Sequence, residues 1–241
     1  MSTKQMRDLD QETKRGVITF LIREPMGVLF VAVTLFIPAR TLAWPMGWAL
    51  VAIYALWVTA TILLVLPKFP GLLAERVARK KDAKTWDTAL MGVVGLLTLA
   101  KQILAGLDFY YGWTREIWEV PLALQIAALV IAALAYTISP WAMRVNAYFS
   151  KIVRIQEDRG HTVASSGPYR IVRHPAYLGT ILFELVTPIM LGSLWALIPG
   201  VLSALLFIVR TALEDRTLRE ELPGYQVYAE RVRYRLLPGV W

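Results

Sequence analysis

Cysteine is absent from the 241 residues, and histidine occurs only twice, as His161 and His174. The first absence excludes disulfides, thiolate metal sites and a cysteine nucleophile. Two histidines without any cysteine are also a poor basis for a transition-metal site, and none is expected. Charged side chains are scarce, at 18% of the chain, while 56% is hydrophobic and the mean hydropathy is +0.49. Soluble domains carry about 45–50% apolar residues. The surplus lies in runs long enough to cross a bilayer, so the composition describes a polytopic membrane protein. No period of about 20–50 residues recurs, which argues against a repeat architecture.

The net charge of +8 admits nucleic acid as a partner, but the placement of the charge argues against it. Lys and Arg gather at five or six each in the N-terminal segment, the 67–87 loop, the 141–176 loop and the tail from Arg210. The alternate turns hold Arg40, Arg115 and none. This is the alternation of the positive-inside rule, and it puts both termini and the basic loops on the cytoplasmic side, in the cell membrane if the source is prokaryotic. The polar start, followed by a short apolar run broken at Arg23-Glu24-Pro25, gives no expectation of a cleavable signal peptide.

Read in order, Gly16–Ile22 suggests a short interfacial helix, with Pro25 in the first turn of a following span over Met26–Ile37. That span is short unless the earlier run continues into it. Trp44–Leu66, Thr88–Leu107 and Val120–Ile138 read as three more spans, the last ended by Ser139-Pro140. Between the second and third lies a basic amphipathic stretch, residues 72–87, expected to rest on anionic headgroups. Tyr177–Leu191 and Leu194–Val209 then form a tight helical hairpin whose second helix runs on to Leu222, followed by an amphipathic tail. The expected fold is therefore all-α, a polytopic membrane helix bundle of about six spans with a C-terminal hairpin and a cytoplasmic cofactor pocket. About four helices lie in residues 1–140, and a C-terminal module occupies residues 141–241.

Three constellations carry possible chemistry. The first is Ser165–Gly179, with its Gly167-Pro168-Tyr169-Arg170 turn and its Arg173-His174-Pro175 triplet. Gly167 permits unusual dihedrals and Pro168 stiffens the turn. Arg170 and Arg173 are fixed cations, and His174 can donate or accept near neutrality. Pro175 suits the first turn of a helix whose free N–H groups face back to the loop, which makes an anion-friendly pocket. A basic loop with snorkelling arginines is the other reading. The second is the helix extension with Arg210, Glu214 and Asp215, where Arg210–Glu214 and Asp215–Arg219 have i,i+4 spacing. It is either a salt-bridged extension or a carboxylate surface for ribose hydroxyls or an amino group. The third is Glu184 inside the fifth span, a position that demands a partner, for which Lys101 in the third span is the candidate.

At these residues the chain resembles the isoprenylcysteine carboxyl methyltransferase-like membrane methyltransferases, related to phospholipid N-methyltransferases. The resemblance rests on G-P-Y-R-I-V-R-H-P-A-Y-L-G (Gly167–Gly179), Glu214-Asp215 and the segment from Leu222 to Pro238, and covers about the last hundred residues. It implies S-adenosylmethionine as methyl donor, bound between the R-H-P region and the acidic helix. Gly167, Pro168, Tyr169, Arg170, His174, Tyr177, Gly179, Glu214 and Asp215 fall to donor binding, and Arg173 and His174 also to catalysis; an amine or phenol acceptor would need a general base, for which His174 and Glu184 are the local candidates. The family pattern has Glu-Glu where this chain has Glu214-Asp215, which puts the greater weight on Glu214. A lipid-soluble or small acceptor is implied: a prenylcysteine-like carboxylate, a phospholipid amine or a thiol. Two other readings remain, a membrane NADPH-dependent reductase of the sterol-reductase type and a non-enzymatic membrane scaffold.

Overall fold

The structure is a computed structural model and describes residues 9–78 and 84–241. It is all-helical among the described residues. In chain order the helices are α1 (Gln11–Ala39), α2 (Pro45–Val65), α3 (Pro70–Val77), α4 (Thr85–Tyr111), α5 (Trp113–Ile117) and α6 (Leu122–Val145). They are followed by α7 (Pro175–Met190), α8 (Leu197–Glu221) and α9 (Tyr225–Arg231). Five of these (α1, α2, α4, α6 and α8) are long and apolar enough to cross a membrane, and α7 is a shorter apolar helix of 16 residues. The protein is thus a polytopic helical membrane bundle.

The six apolar helices close into a ring, in which α1 packs on α2, α2 on α6, α6 on α7, α7 on α8, α8 on α4 and α4 back on α1. The ring draws on both sides of residue 140. Helices α6 and α7 cross closely. A Cβ on Gly179 would sit 2.4 Å from the carbonyl oxygen of Ala135, a distance only a glycine permits. Small residues let helix backbones approach in this way where no hydrophobic drive separates helix from lipid.

Three expectations are corrected. Gly16–Ile22 is not a separate interfacial helix: α1 is continuous for 29 residues, and Pro25 lies in its middle instead of its first turn. Val17 and Phe20, both fully buried, pack with Leu72 and Leu73 of α3 and Met143 of α6, so the early run earns its helix by tertiary burial. Ending the helix at Pro25 would free several backbone groups in apolar surroundings, whereas the proline removes one hydrogen bond. For the same reason α6 passes through Pro140 to Val145 instead of stopping there. Finally, α3 is no headgroup float, because Leu72, Leu73, Glu75 and Arg76 are all buried. Glu75 instead accepts from Arg154 at 3.0 Å. The basic residues 79–83 of that stretch lie outside the described residues.

The intramembrane pair is present. Lys101 Nζ donates to Glu184 Oε2 at 2.6 Å and to Thr187 Oγ1 at 3.3 Å, with both charged side chains buried. Beside it, Thr34 of α1 donates to Gln102 Oε1.

Candidate active site

The loop between α6 and α7 folds into a self-bonded wall. Asn146 Nδ2 donates to Tyr169 Oη at 3.1 Å, Tyr148 Oη to Gly160 O at 2.8 Å, and Gln156 Nε2 to Tyr148 O at 2.7 Å. His161 stacks on Tyr148, with ring centroids 4.6 Å apart, and its Nδ1 accepts the Gln156 N–H at 3.3 Å. Burial, reinforced by Arg154 and Arg159, pulls the His161 imidazole down to about 4. A neutral ring is what an accepting Nδ1 requires.

The R-H-P triplet meets the tail. The Arg173 N–H donates to Tyr234 O and the His174 N–H to Arg235 O, both at 2.9 Å. The Arg173 guanidinium donates to Asp215 at 2.6 and 3.1 Å and to the Val232 and Arg233 carbonyls at 2.7 Å each. Asp215, with no exposed surface, also accepts from Arg235 at 2.9 Å, Arg219 at 3.1 Å and Tyr225 Oη at 3.0 Å, and lies 3.2 Å from His174 Nε2. One carboxylate therefore fastens the triplet, α8, α9 and the tail together.

A cleft opens between this unit and the loop wall. Asn146, Tyr148, Phe149, His161, Tyr169, His174, Tyr177, Glu214, Tyr225 and Tyr228 all face it. Tyr177 Oη donates to Glu214 Oε2, and the Tyr177 ring stacks parallel to His174 at 5.7 Å. Burial raises the Tyr169, Tyr225 and Tyr228 phenols above their usual range, and nearby Asp215 adds to the effect at Tyr225, so these rings face the cleft as neutral phenols.

A second, larger cavity of about 410 Å³ lies inside the ring and takes residues from all six apolar helices, with Tyr54, Trp57, Tyr136, Phe183 and Phe207 among its walls. The cleft and the cavity share Phe149, Ser150, Ala176 and Tyr177.

The structure brings Tyr169, Arg173, His174, Tyr177 and Glu214 to the cleft, and places the other expected residues elsewhere. Gly167 has φ +57 and packs on Val145 and Trp141, so with Pro168 it shapes the turn that presents Tyr169 without facing the cleft. Arg170 is exposed to one side. Gly179 serves the α6–α7 crossing described above. Asp215 is turned away from the cleft toward the tail, because neighbouring helix positions point about 100° apart. Glu184 faces the inner cavity instead of the cleft. Arg210 is not bonded to Glu214. Its guanidinium donates to Asp87 of α4 at 2.7 and 3.1 Å and to Lys151 O at 2.8 Å. Phe149 and Tyr148 are cleft residues that no motif singled out, since the tertiary folding of the loop alone brings them there.

Residues 126–220 match the model of the isoprenylcysteine carboxyl methyltransferase (ICMT) family. This part of the chain is ICMT-like. A comparison with curated proteins finds no match. The matched segment begins within α6 and ends at the penultimate residue of α8, so it contains the loop wall, the triplet and both members of the acidic pair. An ICMT-type segment built into a ring of apolar helices supports assignment to the membrane methyltransferases.

Proposed function

We propose that the protein transfers a methyl group from S-adenosylmethionine, held in the outer cleft, to a lipid-soluble acceptor held in the inner cavity. One observation carries this reading: the polar cleft and the intramembrane cavity meet at Phe149, Ser150, Ala176 and Tyr177. Two reactants of opposite solubility can reach a common wall from opposite sides there. The charge alternation supports a cytoplasmic position for the cleft, where a soluble metabolite is available.

The cleft's chemistry fits such a donor. Glu214 offers a carboxylate for an amino group or ribose hydroxyls, and Phe149, Tyr169 and Tyr228 offer aromatic faces for a purine. When bound, the sulfonium supplies an activated methyl for in-line displacement. The residues of the chain position the reactants and exclude water, which can account for much of the acceleration. His174 is oriented by Asp215 and by its main-chain bond to Arg235, and it holds Tyr177 by stacking. A carboxylate or thiolate acceptor needs no base. An amine would need one, and Glu184, one of two carboxylates lining the inner cavity, can serve.

The NADPH alternative is less well supported. It calls for free cations around an extra phosphate, but Arg154 is turned to Glu75 and Asp158 and Arg173 to Asp215, while Arg170 points to solvent. Calorimetry on the purified full-length protein tests the choice. S-adenosylhomocysteine is expected to bind and NADPH not, and Glu214→Gln is expected to weaken the former at least about tenfold, the loss of a charged hydrogen bond. Binding of NADPH without S-adenosylhomocysteine overturns the proposal, and binding of neither favours the scaffold reading. Labelled-methyl transfer into a membrane extract then identifies the acceptor.

A further inference from the structure

The strip of chain at residues 149–154 borders both spaces and belongs to no helix. Phe149, Ser150, Ile152 and Val153 face the outer cleft, and Phe149, Ser150 and Lys151 face the inner cavity. Under the proposed function, the methyl group crosses beside this strip. Without a helix of its own, the strip must find partners for its backbone and charges elsewhere, and those partners decide where it sits.

Three carboxylates from other helices hold it. Glu24 of α1 accepts from Lys151 Nζ at 2.8 Å, and Glu75 of α3 accepts from Arg154 Nε and Nη2 at 3.1 and 3.0 Å. Asp87 of α4 accepts the Val153 N–H at 2.7 Å and is fully buried. Asp87 alone of the three grips the backbone of the strip twice over. It takes both edges of the Arg210 guanidinium, at 2.7 and 3.1 Å, and Arg210 in turn donates to Lys151 O at 2.8 Å. Lys151 O, Arg210, Asp87 and the Val153 N–H thus form a closed bracket around three strip residues. Charge-assisted bonds of this kind are short and directional, so the bracket fixes the backbone it encloses. The Arg210 guanidinium carbon also lies 5.1 Å from the centroid of the Tyr177 ring, which brings the bracket against another part of the shared wall.

We infer that Asp87 is a positioning residue for methyl transfer: it holds the strip at the place where donor and acceptor meet. The inference rests on the donor lying in the cleft and the acceptor in the inner cavity. Asp87 lines neither space, so it acts through Val153, Arg210 and Lys151 and not on a reactant. It also precedes residues 126–220, the segment that matches the ICMT family, so the preceding helices contribute to the alignment of the site as well as to its membrane seat. A misplacement of about 1 Å at reacting groups can cost about a hundredfold in rate.

The test uses the full-length protein in nanodiscs. Labelled-methyl transfer from S-adenosylmethionine into a total membrane extract is counted per S-adenosylhomocysteine-binding site, measured by calorimetry, so that unfolded protein does not enter the rate. Asp87→Ala should lower the maximal rate at least about tenfold and keep the KM for S-adenosylmethionine within about threefold, because Tyr169, His174 and Glu214 lie outside the strip. Asp87→Asn, whose side-chain oxygen can still accept from Val153, should keep part of the rate. The double variant Asp87→Ala/Arg210→Met, freed of the stranded charge, should regain much of the lost Tm but not the rate, since Lys151 O and the Val153 N–H stay unheld. Amide hydrogen exchange at residues 149–154 should be about tenfold faster in Asp87→Ala and in the double variant, while α6 and α7 keep wild-type protection. If Asp87→Ala does not fold, the double variant and Asp87→Asn decide. A wild-type rate per site in Asp87→Ala, a rate that returns with Tm in the double variant, or unchanged exchange in the strip overturns the inference. A wild-type protein that transfers no methyl group overturns the proposed function; faster strip exchange in Asp87→Ala then still supports the bracket, and unchanged exchange refutes it.

Discussion

Replacing Asp215 by Asn keeps the shape of the side chain and removes its charge. Four charged or chargeable donors then face a neutral amide: Arg173, Arg219, Arg235 and His174. They do not contribute equally. Arg219 and Arg235 have side chains 34% and 31% exposed, so water recovers most of what they lose, and together they account for no more than about 1 kcal/mol. Arg173 is 3% exposed and cannot rehydrate in place. It keeps the Val232 and Arg233 carbonyls but loses its counter-charge, and breaking a buried pair on one side typically costs about 3–5 kcal/mol. The expected destabilisation is therefore about 4 kcal/mol. For a chain of this size that corresponds to a Tm lower by about 10 °C.

The assay is thermal unfolding in detergent followed by tryptophan fluorescence, with S-adenosylhomocysteine affinity measured alongside. The loss should be concentrated in the tail unit, so protease should cut the Asp215→Asn protein first within residues 222–241. Adding Arg173→Met to Asp215→Asn should recover part of the lost Tm, since the stranded charge is gone. An Asp215→Asn protein that melts within about 2 °C of wild type would refute the reasoning, for it would mean that the cluster is hydrated or rearranges freely.

Two further outcomes follow from the same physics. Glu184→Gln or Lys101→Met alone should each cost about 3–5 kcal/mol and the double variant clearly less than their sum, because the 2.6 Å pair is buried in the ring; additive costs in a thermal double-mutant cycle would contradict the pair. His161 is held near 4, below its ordinary 6.5, so the unfolded chain binds the extra proton and the stability this residue contributes is present above pH 6.5 and lost as pH falls from 6.5 toward 4. The wild-type Tm should therefore drop more steeply over that range than that of His161→Asn, whose side-chain oxygen can still accept from Gln156, and parallel curves would contradict the assignment.

What the sequence revealed depended on how local each cause was. The spans were legible because apolar runs and the alternation of Lys and Arg are properties of contiguous segments. Lys101 and Glu184 were legible as partners because an ionisable side chain inside a span must find another one, and few were available. The course of α1 through Pro25 was not legible, because its cause is the packing of Val17 and Phe20 on α3 and α6. Arg210 shows the same failure more plainly. The i,i+4 spacing to Glu214 was a local signal, yet Asp87 captures the guanidinium from 123 positions away, and no pattern near either residue announces it. Arg76 was read as part of a headgroup-facing stretch because its neighbours are basic, whereas its burial is decided by Leu72 and Leu73 beside it.

The acidic pair marks the limit most clearly. Motif position alone assigned Glu214 and Asp215 one joint task, but a helix turns about 100° between them, so two adjacent carboxylates cannot share a face. Glu214 lines the cleft and accepts from Tyr177, whereas Asp215 turns to the tail and gathers the guanidinium groups of Arg173, Arg219 and Arg235. The shorter Asp side chain is the one that sits at the point of convergence, where the close packing of Arg173, Tyr225 and His174 leaves it fully buried. The two carboxylates are still coupled through the triplet: Asp215 fixes His174, His174 stacks on Tyr177, and Tyr177 donates to Glu214. Tyr177 also belongs to the wall shared by the cleft and the inner cavity. A change at Asp215, which touches neither space, should therefore loosen a side chain that borders both.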